Sequence, residues 1–101
     1  MEQRIAVVTG ANRGIGLEIS RQLAQLGIHV VLTARSAAKA AMGCQKLKDE
    51  GLNAAYHPCD VTDVTAVQIL RDFIKKNYGA ADILVNNAGI QKPCASHEMP
   101  A

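Results

Sequence analysis

Aromatic side chains are almost missing from this 101-residue chain, which has one Phe, two Tyr and no Trp, 3% in all. Long apolar runs are missing too. Nothing approaches the roughly 20 residues of a membrane span, and the run behind Met1-Glu2-Gln3-Arg4, Ile5 to Val8, is too short for the core of a secretory signal. Cysteine is sparse, and Cys44, Cys59 and Cys94 make an odd number with no Cys-x-x-Cys spacing. That argues against a disulfide scaffold and for a reducing compartment, so the cytoplasm is the expected location. An excess of one charge is lacking as well. Eleven Lys and Arg against nine Asp and Glu leave a net +2, and no basic run exceeds Lys75-Lys76, so no nucleic acid and no membrane is expected as a partner. What is present is ordinary for a globular core of one domain: 49% apolar and 20% charged residues.

The apolar residues fall into alternating patterns. Ile5-Ala6-Val7-Val8-Thr9 and Ile28-His29-Val30-Val31-Leu32-Thr33 read as strands buried on both faces. Between them Ile15, Ile19, Leu23 and Leu26 recur at helical spacing, which predicts a helix with those residues on its core face, ended by Gly27. Ser36 is a cap for a second helix with Ala40, Cys44 and Leu47 on one face, and Gly51 closes it. Asn53 to Cys59 is a weaker strand because Pro58 removes a donor. Thr62 or Asp63 caps a third helix aligned on Val67, Leu70 and Ile74, and Asp82 to Asn86 forms a fourth strand. The order β-α-β-α-β-α-β with short connections predicts an α/β fold, a Rossmann-type parallel sheet with strand order 3-2-1-4. Residues 1–90 form the expected domain, and Gln91 to Ala101, with two prolines and no periodicity, reads as a loop or disordered tail.

The most specific stretch is Thr9-Gly10-Ala11-Asn12-Arg13-Gly14-Ile15-Gly16, between the first strand and the first helix. Glycines there allow a tight turn and close backbone approach, and the helix that follows offers unpaired amides and a positive dipole end, a setting for a pyrophosphate. A turn that needs glycine for structural reasons alone is the competing reading. The spacing G-x-x-x-G-x-G also departs from the usual G-x-G-x-x-G dinucleotide fingerprint.

That spacing, together with Cys59-Asp60-Val61 after the third strand and Asn86-Asn87-Ala88-Gly89 after the fourth, resembles the short-chain dehydrogenase/reductase family. The surrounding wording, Gly10 to Leu17 and Val31-Leu32-Thr33-Ala34-Arg35, is most similar to its monomeric carbonyl-reductase branch, with plant members such as menthone and salutaridine reductases. The resemblance implies cofactor contacts at Gly10, Asn12, Arg13, Gly14, Ile15 and Gly16. It further implies that Asp60 accepts a hydrogen bond from the adenine amino group beside the Val61 backbone, and that Asn86, Asn87, Ala88 and Gly89 run along the adenosine ribose. Read from the residues alone, Asp60 is also a natural turn or cap residue, and Asn86-Asn87 suits strand-end hydrogen bonding.

The residues themselves choose between coenzymes. An NAD site uses an acid about 20 residues past the glycines for the ribose 2′-OH. No Asp or Glu occurs from Ile28 to Lys48, whereas Arg35 lies 19 residues after Gly16 and Arg13 lies inside the loop. Two guanidinium groups suit a 2′-phosphate, so NADP(H) is the expected cofactor, with solvated surface arginines as the alternative.

Catalytic residues are not in evidence. The family's Tyr-x-x-x-Lys has no counterpart, since Tyr56 is followed four residues later by Asp60 and Tyr78 by Asp82, and Ser96 comes too early for the family's serine. Family members run more than twice this length, so the chain is expected to be inactive alone. It reads as the cofactor-binding part of an oxidoreductase for carbonyl or secondary alcohol substrates, or else as a non-catalytic nucleotide-binding module or truncated product. Ile83-Leu84-Val85 is expected to leave an apolar strand edge prone to self-association. His57-Pro58-Cys59 and Cys94-Ala95-Ser96-His97 invite a metal reading, but two pairs on separate elements are expected to be ordinary Cys and His, so no metal is assigned.

Overall fold

Strands come first where both neighbours and both faces are protein. In the computed structural model, which describes residues 3–87, β1 (Ile5–Val8) pairs in parallel with β2 (His29–Leu32) on one side and β4 (Ile83–Val85) on the other. β2 pairs in turn with β3 (Ala54–Tyr56), which gives the sheet order β3-β2-β1-β4 expected from the sequence. Strand side chains alternate between faces. Ala6, Val8, Val30 and Leu32 therefore point to one layer, with Leu17, Ala24, Cys44 and Leu47 from α1 (Gly14–Gln25) and α2 (Ala37–Asp49). Ile5, Val7 and Val31 point to the other, where Leu70 and Ile74 of α3 (Val64–Tyr78) cover them.

Each helix starts and stops for a visible reason. Ser36 Oγ accepts from the Lys39 amide at 3.2 Å, and Asp63 Oδ1 accepts from the Thr65 amide at 2.9 Å, so α2 and α3 carry side-chain caps. Of the two caps proposed for α3, Asp63 is the one used. α1 begins at Gly14 behind Arg13, which makes no capping hydrogen bond. At the far end of the sheet the His29 ring nitrogens lie 2.9 Å from Asn53 Oδ1 and 3.0 Å from Tyr78 OH, which fastens the last residue of α3 to the first of β2.

One expectation holds only in part. The fully buried residues of α1 are Gly16, Leu17, Ser20 and Ala24; of the series Ile15, Ile19, Leu23 and Leu26, Leu23 packs half-buried against the same core and Ile19 is half-buried. Ile15 and Leu26 are 64% and 76% exposed. At Gly16 the helix meets the Gly10–Ala11 backbone, which leaves no room for a side chain; Ser20 is tolerated inside because its hydroxyl donates to the Gly16 carbonyl at 2.8 Å. The tail of residues 91–101 lies outside the described residues. No helix among the described residues is long and apolar enough to cross a membrane.

Candidate nucleotide-binding site

Strand order reverses about β1: the chain runs outward through β2 and β3, then returns to place β4 on the opposite side. The crevice at the carboxyl ends of such strands is where open α/β sheets receive ligands. Gly10 follows β1 there with φ 60°, and Gly14 opens α1 with φ 63°, both in the left-handed region. The loop between them is tied down on two sides. The Ala11 amide donates to Thr33 O at 3.0 Å, and Asn87 Nδ2 donates to Gly10 O at 3.1 Å.

Gly16 carries the tightest constraint. A Cβ placed on it would lie 2.4 Å from Gly10 O and 2.6 Å from Asn87 Nδ2, so the residue is glycine because loop, helix and the start of the Asn86-Asn87 segment converge there. Gly14, by contrast, has nothing within 4 Å of where its Cβ would stand, and Arg13 caps nothing. The first turn of α1 thus presents backbone without a side-chain cap, at the positive end of the helix dipole.

Beside this loop is a cavity of about 550 Å³, within the range of small-molecule sites. The structure brings Gly10, Asn12 and Arg13 to its wall from the loop, Arg35 from the end of β2, and Asp60 and Val61 from the segment after β3. Gly14, Ile15, Gly16, Asn86 and Asn87 are not on that wall. Gly16 and Asn87 are buried behind the loop, while Asn86 is exposed and its Oδ1 accepts from Thr9 Oγ1 at 3.2 Å. Ala88 and Gly89 lie outside the described residues.

Two hydrophilic residues on the wall were not among the cofactor contacts expected from the sequence. Lys39, in the first turn of α2, adds a third cation. The available signal was Ser36, whose cap sets Lys39 in that turn a few residues past Arg35. Thr62 is the other. Its amide and its hydroxyl both donate to Asp60 Oδ1, at 3.0 and 2.6 Å, so Asp60 builds its own turn. Asp60 Oδ2 lies 3.9 Å from Arg35 Nε, and with the Arg35 side chain 84% exposed this is a loose, solvent-screened pairing. Among the described residues three cations and one carboxylate therefore line the cavity, an arrangement that suits a ligand with several negative charges.

Cys59 also lines the cavity. Burial pushes its thiol pKa up, and the neighbouring Asp60 and Asp63 carboxylates add to the shift, which disfavours the thiolate a metal or a nucleophilic role requires. His57 Nδ1 is turned to the Pro58 carbonyl at 2.9 Å and its ring packs on Phe73. Among the described residues no group of three or more His, Cys, Asp or Glu is placed to hold a metal ion. Cys94 and His97 lie outside those residues.

The family model for short chain dehydrogenase matches residues 4–101. This chain belongs to the short-chain dehydrogenase family. The match includes residues 91–101. Human carbonyl reductase (NADPH) 3 is 49% identical over 88 residues, covering 86% of this chain and 32% of that protein. Salutaridine reductase of Papaver bracteatum is 50% identical over 91 residues, 88% of this chain and 29% of that one. In solved structures, the menthone neomenthol reductase of Mentha piperita superposes with a TM-score of 0.83 at 45% identity, over 88% of this chain and 32% of that chain. The chain spans about a third of the length of these relatives.

Proposed function

We propose that residues 1–90 are the NADP(H)-binding part of a short-chain oxidoreductase that acts on carbonyl or secondary alcohol substrates. The observation that carries this reading is the gathering of Arg13, Arg35 and Lys39 around one cavity at the strand-order reversal, the last two from a stretch, Ile28 to Lys48, without an acid. The residues fit the coenzyme. The uncapped first turn of α1 and the loop from Gly10 to Gly16 would hold the pyrophosphate, with Asn12 on the loop wall. The three cations would hold the 2′-phosphate, and Asp60 and Val61 would border the adenine. Asn86, Asn87, Ala88 and Gly89 would flank the ribose, with Asn87 also fixing the loop through Gly10. The naming of NADPH in the human relative supports the choice of coenzyme. When bound, the coenzyme supplies or accepts a hydride.

Calorimetry with NADP and NAD tests the reading. A hydrogen bond to a charged group contributes about 1.5–3 kcal/mol, and about 1.4 kcal/mol is a factor of ten. The chain is therefore expected to favour NADP at least about tenfold, and Arg13→Ala combined with Arg35→Ala to erase most of that preference. An unchanged affinity ratio overturns it.

A second reading, a nucleotide-binding module without catalysis of its own, is favoured by the Asp residues that stand four places after each tyrosine. Turnover of a carbonyl panel by this chain excludes it. As to partners, Leu84 on β4 is 68% exposed and supports self-association through that strand. The small, dispersed positive charge gives no footprint for a nucleic acid, and the odd, scattered cysteines support a cytoplasmic setting.

A further inference from the structure

Helix α2 meets the loop backbone at a glycine. A Cβ on Gly43 would stand 3.0 Å from Ala11 O, 3.1 Å from Asn12 Cα and 3.2 Å from Leu32 Cδ2, each inside ordinary van der Waals contact. Two of these neighbours are loop backbone, and the third belongs to a fully buried side chain. Glycine in a helix interior is unfavourable relative to alanine, and Gly43 is not among the glycines with positive φ. Neither helix formation nor backbone conformation accounts for it; the close approach does.

The approach has a consequence for the cavity. Lys39 lies one helical turn before Gly43, and it lines the same cavity as Asn12 and Arg13 of the loop. We infer that Gly43 is a positioning residue for coenzyme choice. By letting α2 rest on the Ala11–Asn12 backbone, it sets the spacing between Arg13 of the loop and Lys39 of α2, and so their joint grip on a phosphate. The inference rests on the NADP(H) reading above.

The test compares 2′,5′-ADP with 5′-AMP, which differ by the 2′-phosphate, in equilibrium binding to the chain and to Gly43→Ala, with a thermal melt of each. Gly43→Ala is expected to lower the affinity ratio of 2′,5′-ADP to 5′-AMP by about fivefold, with 5′-AMP binding held and the melting temperature not lowered. Should Gly43→Ala fail to fold, Gly43→Ala with Leu32→Val, which removes the side-chain contact and keeps both backbone contacts, is measured in its place. A variant that keeps the parent's ratio, or that loses both nucleotides in parallel, overturns the inference and leaves the NADP(H) reading standing. A parent chain that binds the two nucleotides equally removes that reading and the inference with it.

Discussion

Gly16 has no room for a methyl group, because Gly10 O and Asn87 Nδ2 already occupy the place a Cβ would take. Gly16→Ala is expected to destabilise the fold by about 3 kcal/mol, at the upper end of ordinary overpacking since one neighbour is backbone. A urea midpoint held at the parent value would contradict it. This residue was legible in the sequence because a close backbone approach leaves a trace in residue type: only glycine satisfies it. Arg13 and Arg35 were legible as charges at set distances from the glycines. Lys39 was not, because its relevance depends on how α2 docks against the loop, and docking leaves no mark on the residue itself. Asp60 shows the same limit in another form. The family motif places it, but its bonds to Thr62 and its spacing from Arg35 appear only in three dimensions.

At the scale of elements, α1 and α2 are joined at the surface by one guanidinium. Arg21 Nε and Nη2 reach both carboxylate oxygens of Glu50 at 2.8–3.1 Å, and Arg21 Nη1 reaches Glu18. Glu50 caps the carboxyl end of α2, where a negative charge opposes the helix dipole, and the arginine offsets that repulsion. The hydrogen bond from Arg21 holds the Glu50 pKa below its usual 4.5; Glu18 is lowered in the same direction, by Gln22 first and Arg21 second. A carboxylate with a depressed folded-state pKa adds stability above the ordinary carboxylate value, and that stability is lost as pH falls through the folded value. Glu50→Gln is expected to lower the melting temperature slightly at pH 7, as befits an exposed pair. The gap between variant and parent should close as the solution is acidified below about pH 4.5. A gap that stays constant with pH would show that the charge plays no part. In α1, weighing residues by hydrophobicity favours Ile15 and Leu26 as core, yet both are exposed, while Gly16 is buried where the helix meets the loop backbone and Asn87.

For the molecule as a whole, β4 is the outer strand of the described sheet, and the parallel register sets Leu84 beside Val7. Val7 is covered by the α3 layer, while Leu84 is 68% exposed. An apolar side chain on an outer strand favours pairing with another chain. In the self-association proposed here, Leu84→Lys is expected to weaken association by about tenfold, the worth of covering one leucine. Sedimentation across a concentration series reads the effect directly. A parent chain that stays monomeric throughout, with a sharp two-state melt, would exclude it.

The sequence by itself determined the alternation of strands and helices and the glycine loop, because these follow from local periodicity, caps and backbone sterics, which act between near neighbours in the chain; the sheet order followed from that alternation only through the general rules for crossover connections. Tertiary structure alone decided which face of α1 is core, that Lys39 joins Arg13 and Arg35 around one cavity, and that Asn87 clamps Gly10 across 77 positions of sequence. Those outcomes depend on the distance at which one packed layer settles on another. That distance is set by side-chain volumes from segments far apart in the chain, which no local pattern encodes.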